Sequence, residues 1–142
     1  MAQEIKPTYV TFEQAKWLKE KGFNLPTLNW YHRGNKKFNT NDLLFSMNKL
    51  TDNYSAPEQW QVVEWFEKNH RVIITVVPDN KQNFFETEEV IYIPLVYLAQ
   101  KGLHNIYKCI VRDKDGNSIT SFKTRKEAIS AAFDYIKDNN LI

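Results

Sequence analysis

The chain has 142 residues, 42% of them hydrophobic and 14% aromatic, with 19 Lys and Arg against 17 Asp and Glu for a formal charge of +2. That length can bury a core without metal or disulfide staples, and the near-balanced charge excludes a global attraction to nucleic acid or anionic membrane, either of which would need a local patch. The single Cys109 excludes an intrachain disulfide and a cysteine metal cage and fits a reducing compartment.

The N-terminal "MAQEIKPTYV" has no apolar signal core. The longest greasy run, "VIYIPLVYLA" at 90–99, is shorter than the roughly 18 apolar residues of a membrane span and contains Pro94. The expectation is a soluble cytoplasmic protein with no membrane partner.

The first helix is expected to start at Thr11, where "TFEQ" has the form of a capping box. Phe12, Ala15 and Leu18 recur at helical spacing, Gly22 suits the C-terminal cap, and Trp17 falls off the stripe, toward a neighbouring element or a partner.

"NWYHRGNKKF", 29–38, is the stretch with the most function-like chemistry. Trp30, Tyr31 and Phe38 offer flat surfaces for a ligand or base. His32, Arg33, Lys36 and Lys37 offer contacts to phosphate, and Gly34-Asn35 offers a turn with exposed amides. A second reading of the same residues is a strand whose Trp30 faces the core and whose basic residues solvate its edge.

The second helix is expected from Ser55, with "SAPE" as its capping box and Pro57 in its first turn, ending near 70. Trp60, Val63 and Phe66, with Val62 beside them, form its predicted buried stripe, and Trp65 points elsewhere. "RVIITVV", 71–77, reads as a central strand closed by Pro78, "DNKQN" as a turn, and "EEVIYI", 88–93, as a strand ending before Pro94. Residues 94–105 fit either a short helix capped by Gly102 or a loop.

"YKCIVRDKDGNSITSF", 107–122, reads as a hairpin around a two-residue Asp115-Gly116 turn. That register sets Val111 opposite Thr120 and Cys109 opposite Phe122, on the face expected beneath the third helix. The third helix opens at "TRKE", 124–127, and its stripe is Ala128, Ala131, Ala132, Tyr135 and Ile136, widened by Ile129 and Phe133. Leu141 and Ile142 are expected to tuck back onto the body.

No assembled chemistry accompanies these elements. His32, His70 and His104 are scattered without metal-ligand spacing, so no metal is expected. Cys109 reads as a buried apolar side chain. The four glycines form no nucleotide-binding fingerprint. Glu64 and Glu67 read as the solvated flank of the second helix, and Glu86, Glu88 and Glu89 cluster before a strand; paired carboxylates are the remaining route to catalysis.

Three stretches carry a resemblance: Gln14, Ala15, Leu18, Gly22 and Phe23 in "EQAKWLKEKGF"; Tyr54 to Pro57 in "YSAP"; and Phe122 with Glu127, Ala128, Ala131 and Ala132. Together they resemble small uncharacterised proteins of phages and prophages from Bacteroides-like gut bacteria. The resemblance implies a phage-derived setting and carries no catalytic residue. It leaves 29–53 and 78–105 unmatched, which makes those segments the expected hosts of any specialised function.

The combined expectation is one α+β domain, an antiparallel or mixed sheet flanked by three helices. Its expected role is a non-enzymatic binding protein without cofactor, engaging or sequestering a host protein or a phosphorylated small molecule through Trp30, Tyr31, His32, Arg33, Lys36 and Lys37. The alternative is a nucleic-acid-binding accessory protein. Oligomeric state is not set by the sequence.

Overall fold

The computed structural model describes residues 6–82, 88–100 and 103–142, and the fold is α+β. Helix α1, Phe12–Glu20, begins as its sequence demands. The Gln14 amide donates to Thr11 Oγ1 at 3.2 Å and the Thr11 amide donates to Gln14 Oε1 at 3.0 Å, a complete capping box. At the other end Gly22 takes φ +88°, where a Cβ would strain the backbone, and the Gly22 and Phe23 amides donate to the Lys19 and Leu18 carbonyls. The buried side holds Gln14, Ala15, Trp17 and Leu18, so Trp17 packs inward.

Strands β1 (Thr27–His32), β2 (Phe38–Phe45) and β3 (Asn53–Ser55) make an antiparallel sheet in the order β2-β1-β3, with a 3-10 turn at Met47–Lys49 before β3. Tyr31 lies opposite Phe38 on one side and Tyr54 on the other. This aromatic row meets α1 through Phe12, whose ring is edge-on to Tyr31 at 5.7 Å and to Tyr54 at 5.5 Å. Such contacts add to simple area burial.

Helix α2 spans Gln59–His70, not from Ser55. Residues 53–55 are drawn into the sheet, the Ala56 amide donates to the Asn29 carbonyl, and Ser55 exchanges hydrogen bonds with Asn48 instead of capping a helix. The cap moves to Glu58, whose amide donates to Gln61 Oε1 at 3.0 Å. The buried stripe also differs: Gln59, Val62, Trp65 and Phe66 face inward, whereas Trp60 is 58% exposed with its indole N–H on the Glu58 carboxylate. Composition alone presents two apolar faces here, and tertiary packing selects one.

Contacts divide the chain into two compact units, Met1–Val62 and Val63–Ile142. In the second, β4 (Val72–Gln82), β5 (Glu88–Gln100) and β6 (Leu103–Lys108) form an antiparallel sheet in the order β4-β5-β6. This corrects three expectations. The 71–77 run belongs to an edge strand, residues 79–82 extend that strand rather than turning, and 94–100 with 103–108 are strands rather than helix or loop. Gly102 and Glu86 lie outside the described residues.

Both prolines fit because of ladder parity. In an antiparallel strand the amide and carbonyl of one residue point to the same side. The Pro94 carbonyl accepts from the Cys109 amide at 3.1 Å, so the missing Pro94 amide also lies on that side, where β6 has ended, and not toward β4. Pro78 sits opposite Tyr92, whose own amide and carbonyl bond Phe122, so the imide of Pro78 faces away from β5, where no strand among the described residues needs its donor.

The ribbon β7 (Val111–Arg112) and β8 (Ser118–Ile119) pairs Val111 with Ile119, one residue away from the expected register. The loop is longer by one residue. The Asp113 amide donates to the Asn117 carbonyl, Asp113 Oδ1 accepts from the Asp115 and Asn117 amides, and Gly116 takes φ +78°. The Asp113 side chain thus favours a three-residue turn over the two-residue one.

Helix α3, Arg125–Asp138, starts at Thr124, which accepts from the Glu127 amide at 3.2 Å. Ala128, Ala131, Ala132, Phe133 and Ile136 are buried as expected. They lie mainly on β5 and β4, and Tyr135 of the same helix neighbours Cys109 and Tyr107 at the start of the expected hairpin. Val72, Ile74, Pro94, Val96 and Leu98 form the buried side of that sheet, and Phe66 of α2 meets Phe133 at 5.6 Å. Asn140 at φ +49° ends α3, with the Leu141 amide on the Ile136 carbonyl, and Leu141 and Ile142 are half-buried.

Candidate binding surface

The 29–38 stretch forms the end of β1, a tight turn and the start of β2, which places its side chains on opposite faces of the sheet. Tyr31 joins the aromatic row beneath α1, and its hydroxyl donates to the Val10 carbonyl at 2.7 Å. Partial burial raises its pKa above the ordinary phenol value. Trp30, on the other face, donates its indole N–H to Asn41 Oδ1 at 3.1 Å and is half-buried. Of the three rings offered as flat surfaces, Trp30 and Tyr31 therefore lie on opposite faces of the sheet, and Phe38 stands beside Tyr31 with ring centres 5.3 Å apart.

The turn's amides are also engaged. His32 Nδ1 accepts from the Gly34 amide at 3.1 Å and from the Asn35 amide at 3.3 Å. Asn35 Oδ1 accepts from the Lys37 amide, the Lys36 amide donates to the His32 carbonyl, and the Arg33 amide donates to the Asp52 carbonyl. Gly34 leaves room for the imidazole, since a Cβ there would stand 3.2 Å from His32 Cε1. His32 thus organises the turn, and no amide nest remains for an anion. Lys36, at φ +57°, lays its ammonium 5.1 Å from the centre of the Phe12 ring and 3.9 Å from Glu13. Arg33 and Lys37 are exposed and hold no ion pair among the described residues.

Lys19 lies near this turn. Its ammonium donates to the carbonyls of Leu50 at 2.5 Å and Asn53 at 3.0 Å and approaches the Thr51 carbonyl at 3.5 Å. Burial lowers its pKa, with Arg33 acting the same way and Asp52 opposing. Lys19 is committed to holding the 50–53 loop against α1.

A second surface, not singled out from the sequence, lies at the other end of the hairpin. The register of β2 on β1 runs from Thr40 opposite Asn29 to Phe45 opposite Thr27, so residues 41–44 bulge from the ladder. The bulge presents Leu43 at 80% and Leu44 at 65% exposure; Phe45, next in the chain, and Leu28 and Leu25 in and before the paired strand are exposed as well. The only signal in the sequence was the triplet "LLF", 43–45, inside the unmatched 29–53 segment. Its exposure depends on the bulge, which alternation does not reveal.

The other candidate residues do not converge. Cys109 is fully buried, and burial pushes its thiol up to about 12. Glu64 is exposed and 3.8 Å from Lys68, one turn away. His70 ends α2 with its ring edge-on to Trp65 at 4.6 Å. Among the described residues, no group of three His, Cys, Asp or Glu is placed to hold a metal, and no helix is long and apolar enough to cross a membrane. Comparison with protein-family models, with curated proteins and with solved structures finds no match to this chain.

Proposed function

We propose that this chain is a non-enzymatic binding protein of phage or prophage origin that engages a host protein through the apolar end of the β1–β2 hairpin. The observation that carries the reading is the bulge with its two outward leucines, with Phe45, Leu28 and Leu25 exposed as well. Consecutive apolar side chains this exposed are a feature of protein-contact surfaces. The phage setting rests on the resemblance of the "EQA…KGF", "YSAP" and "EA..AA" stretches.

A second reading places nucleic acid or a phosphorylated small molecule at the turn. Exposed Arg33 and Lys37 favour it, with Lys36 partly neutralised by Glu13. Phe38 stays exposed beside Tyr31, with ring centres 5.3 Å apart, but the turn's amides are engaged, so the phosphate contact rests on exposed charge and is screened by salt.

Two variants separate the readings. Leu43→Ser with Leu44→Ser should fold and lose a host protein retained by wild type, by about tenfold or more in affinity. Arg33→Glu with Lys37→Glu should keep that protein. Affinity capture from host lysate, repeated with each variant, is the measurement. Loss only in the charge variant, together with a steep salt dependence toward mixed DNA and RNA, transfers the function to the turn.

A further inference from the structure

We infer that His32 gates an anion site in the 33–37 turn: the neutral imidazole fills the site from within, and its protonation opens the site to an oxyanion of the phosphate class. Nδ1 accepts two backbone amides, that of Gly34 at 3.1 Å and that of Asn35 at 3.3 Å. A backbone amide can only donate, so Nδ1 must carry a lone pair. An imidazolium is protonated on both nitrogens and accepts from neither amide. Histidine ordinarily changes charge between about pH 5 and 8. The closed turn therefore takes the neutral ring above that range. As pH falls through it, Nδ1 becomes a donor facing two donors, and both bonds are lost.

The outline of the turn does not depend on that ring. The His32 amide donates to the Lys37 carbonyl at 3.1 Å, the Lys36 amide to the His32 carbonyl at 2.9 Å, and the Lys37 amide to Asn35 Oδ1 at 2.9 Å. Those bonds stay when the imidazole leaves, so the Gly34 and Asn35 amides remain aimed at the point that Nδ1 vacates. Successive amides converging on one point are the donor arrangement that holds an oxyanion. The surrounding charge suits the same ligand. Arg33, Lys36 and Lys37 stand in the turn, and β3 sets the uncharged Asn53 opposite His32. Asp52 lies on the neighbouring loop, where its carbonyl takes the Arg33 amide; from α1, Lys19 holds that loop and Glu13 reaches Lys36. Lys19 and Lys36 are thus committed, whereas Arg33 and Lys37 are exposed and hold no ion pair among the described residues. Proton and anion then support each other, each raising the affinity for the other by the same factor. This inference goes beyond the leucine bulge and is independent of it.

Sulfate is the probe, because its charge stays constant over the range, and the readout is the amide NMR signals of the isotope-labelled full chain at fixed ionic strength. Without sulfate, the Gly34 and Asn35 signals should move between pH 8 and pH 5.5 as their bonds to Nδ1 are lost. Sulfate should leave both signals unmoved at pH 8 and shift both at pH 5.5, with an apparent affinity about tenfold tighter. His32→Ala removes the internal acceptor at every pH. It should bind sulfate equally at both pH values, and at pH 8 more tightly than wild type. Arg33→Glu with Lys37→Glu should weaken sulfate by about tenfold or more, while the two signals still change with pH. Gly34 and Asn35 signals that stay in place from pH 8 to pH 5.5 overturn the inference. So does an equal response to sulfate at both pH values, or a His32→Ala chain that binds no better than wild type at pH 8.

Discussion

Cys109 shows how one side chain reports on its surroundings. It has no exposed surface, and burial moves its thiol from an ordinary value of 9.0 up to about 12. The folded state therefore favours the neutral form. That contribution is complete below about pH 9 and declines as pH rises toward about 12, by at most about 1.4 kcal/mol per pH unit. Urea unfolding at pH 8 and pH 10 should show a larger loss for wild type than for Cys109→Ala. Thiol labelling at neutral pH should be slow in native buffer and rapid in denaturant; immediate native labelling reverses the assignment. Lys19 is the second informative residue. Lys19→Met removes the ammonium shared by the carbonyls of the 50–53 loop and should cost about 1 kcal/mol in urea unfolding, the usual scale for a partly solvated hydrogen-bonded charge.

Among the elements, the two terminal helices were legible to the residue and the middle one was not. Thr11 and Thr124 announced starts that the structure keeps, because a threonine cap acts on amides within its own turn. Ser55 announced a start that the sheet overrides, since its backbone pairs with Trp30 and its hydroxyl serves Asn48. The phase of α2 then predicts a contrast between its tryptophans. Trp65→Ala should destabilise by roughly 3–5 kcal/mol, as a large core truncation does. Trp60→Ala should remain within about 0.5 kcal/mol, as an exposed change does. Thermal or chemical unfolding of the pair checks the phase, and equal losses would contradict it. In α3, Ala132→Glu drives a carboxylate between the helix and the sheet, and should cost several kcal/mol, on the order of an unpaired buried charge. A melting temperature equal to wild type would mean that this face is open.

For the whole molecule, charge and apolar exposure lie at opposite ends of one hairpin, Arg33 and Lys37 at the turn and Leu43 and Leu44 in the bulge. The two ends respond oppositely to salt. A contact made by the leucines should hold or strengthen between low and high ionic strength, because apolar burial is not screened. A contact made by the turn should weaken steeply, because exposed charges beyond about 8–10 Å lose each other at physiological salt. Titrating the captured partner against salt identifies the end in use.

The caps of α1 and α3, the apolar stripe of α3 and the α+β class were set by the sequence itself, because each rests on interactions within a few residues or on the amount of apolar surface. The turn at 33–37 was also visible as a turn, but its chemistry was not. Only the fold could reveal that His32 consumes the Gly34 and Asn35 amides, or that strand alternation parts Trp30 from Tyr31. Register lay beyond reach for the same reason: a one-residue difference in loop length at Asp113–Asn117 shifts every pair in the ribbon. The prolines misled because a proline forbids a hydrogen bond on one side of a strand, not the strand itself. Which side of Pro78 and Pro94 needed a donor was decided by where β5, β6 and Phe122 came to lie.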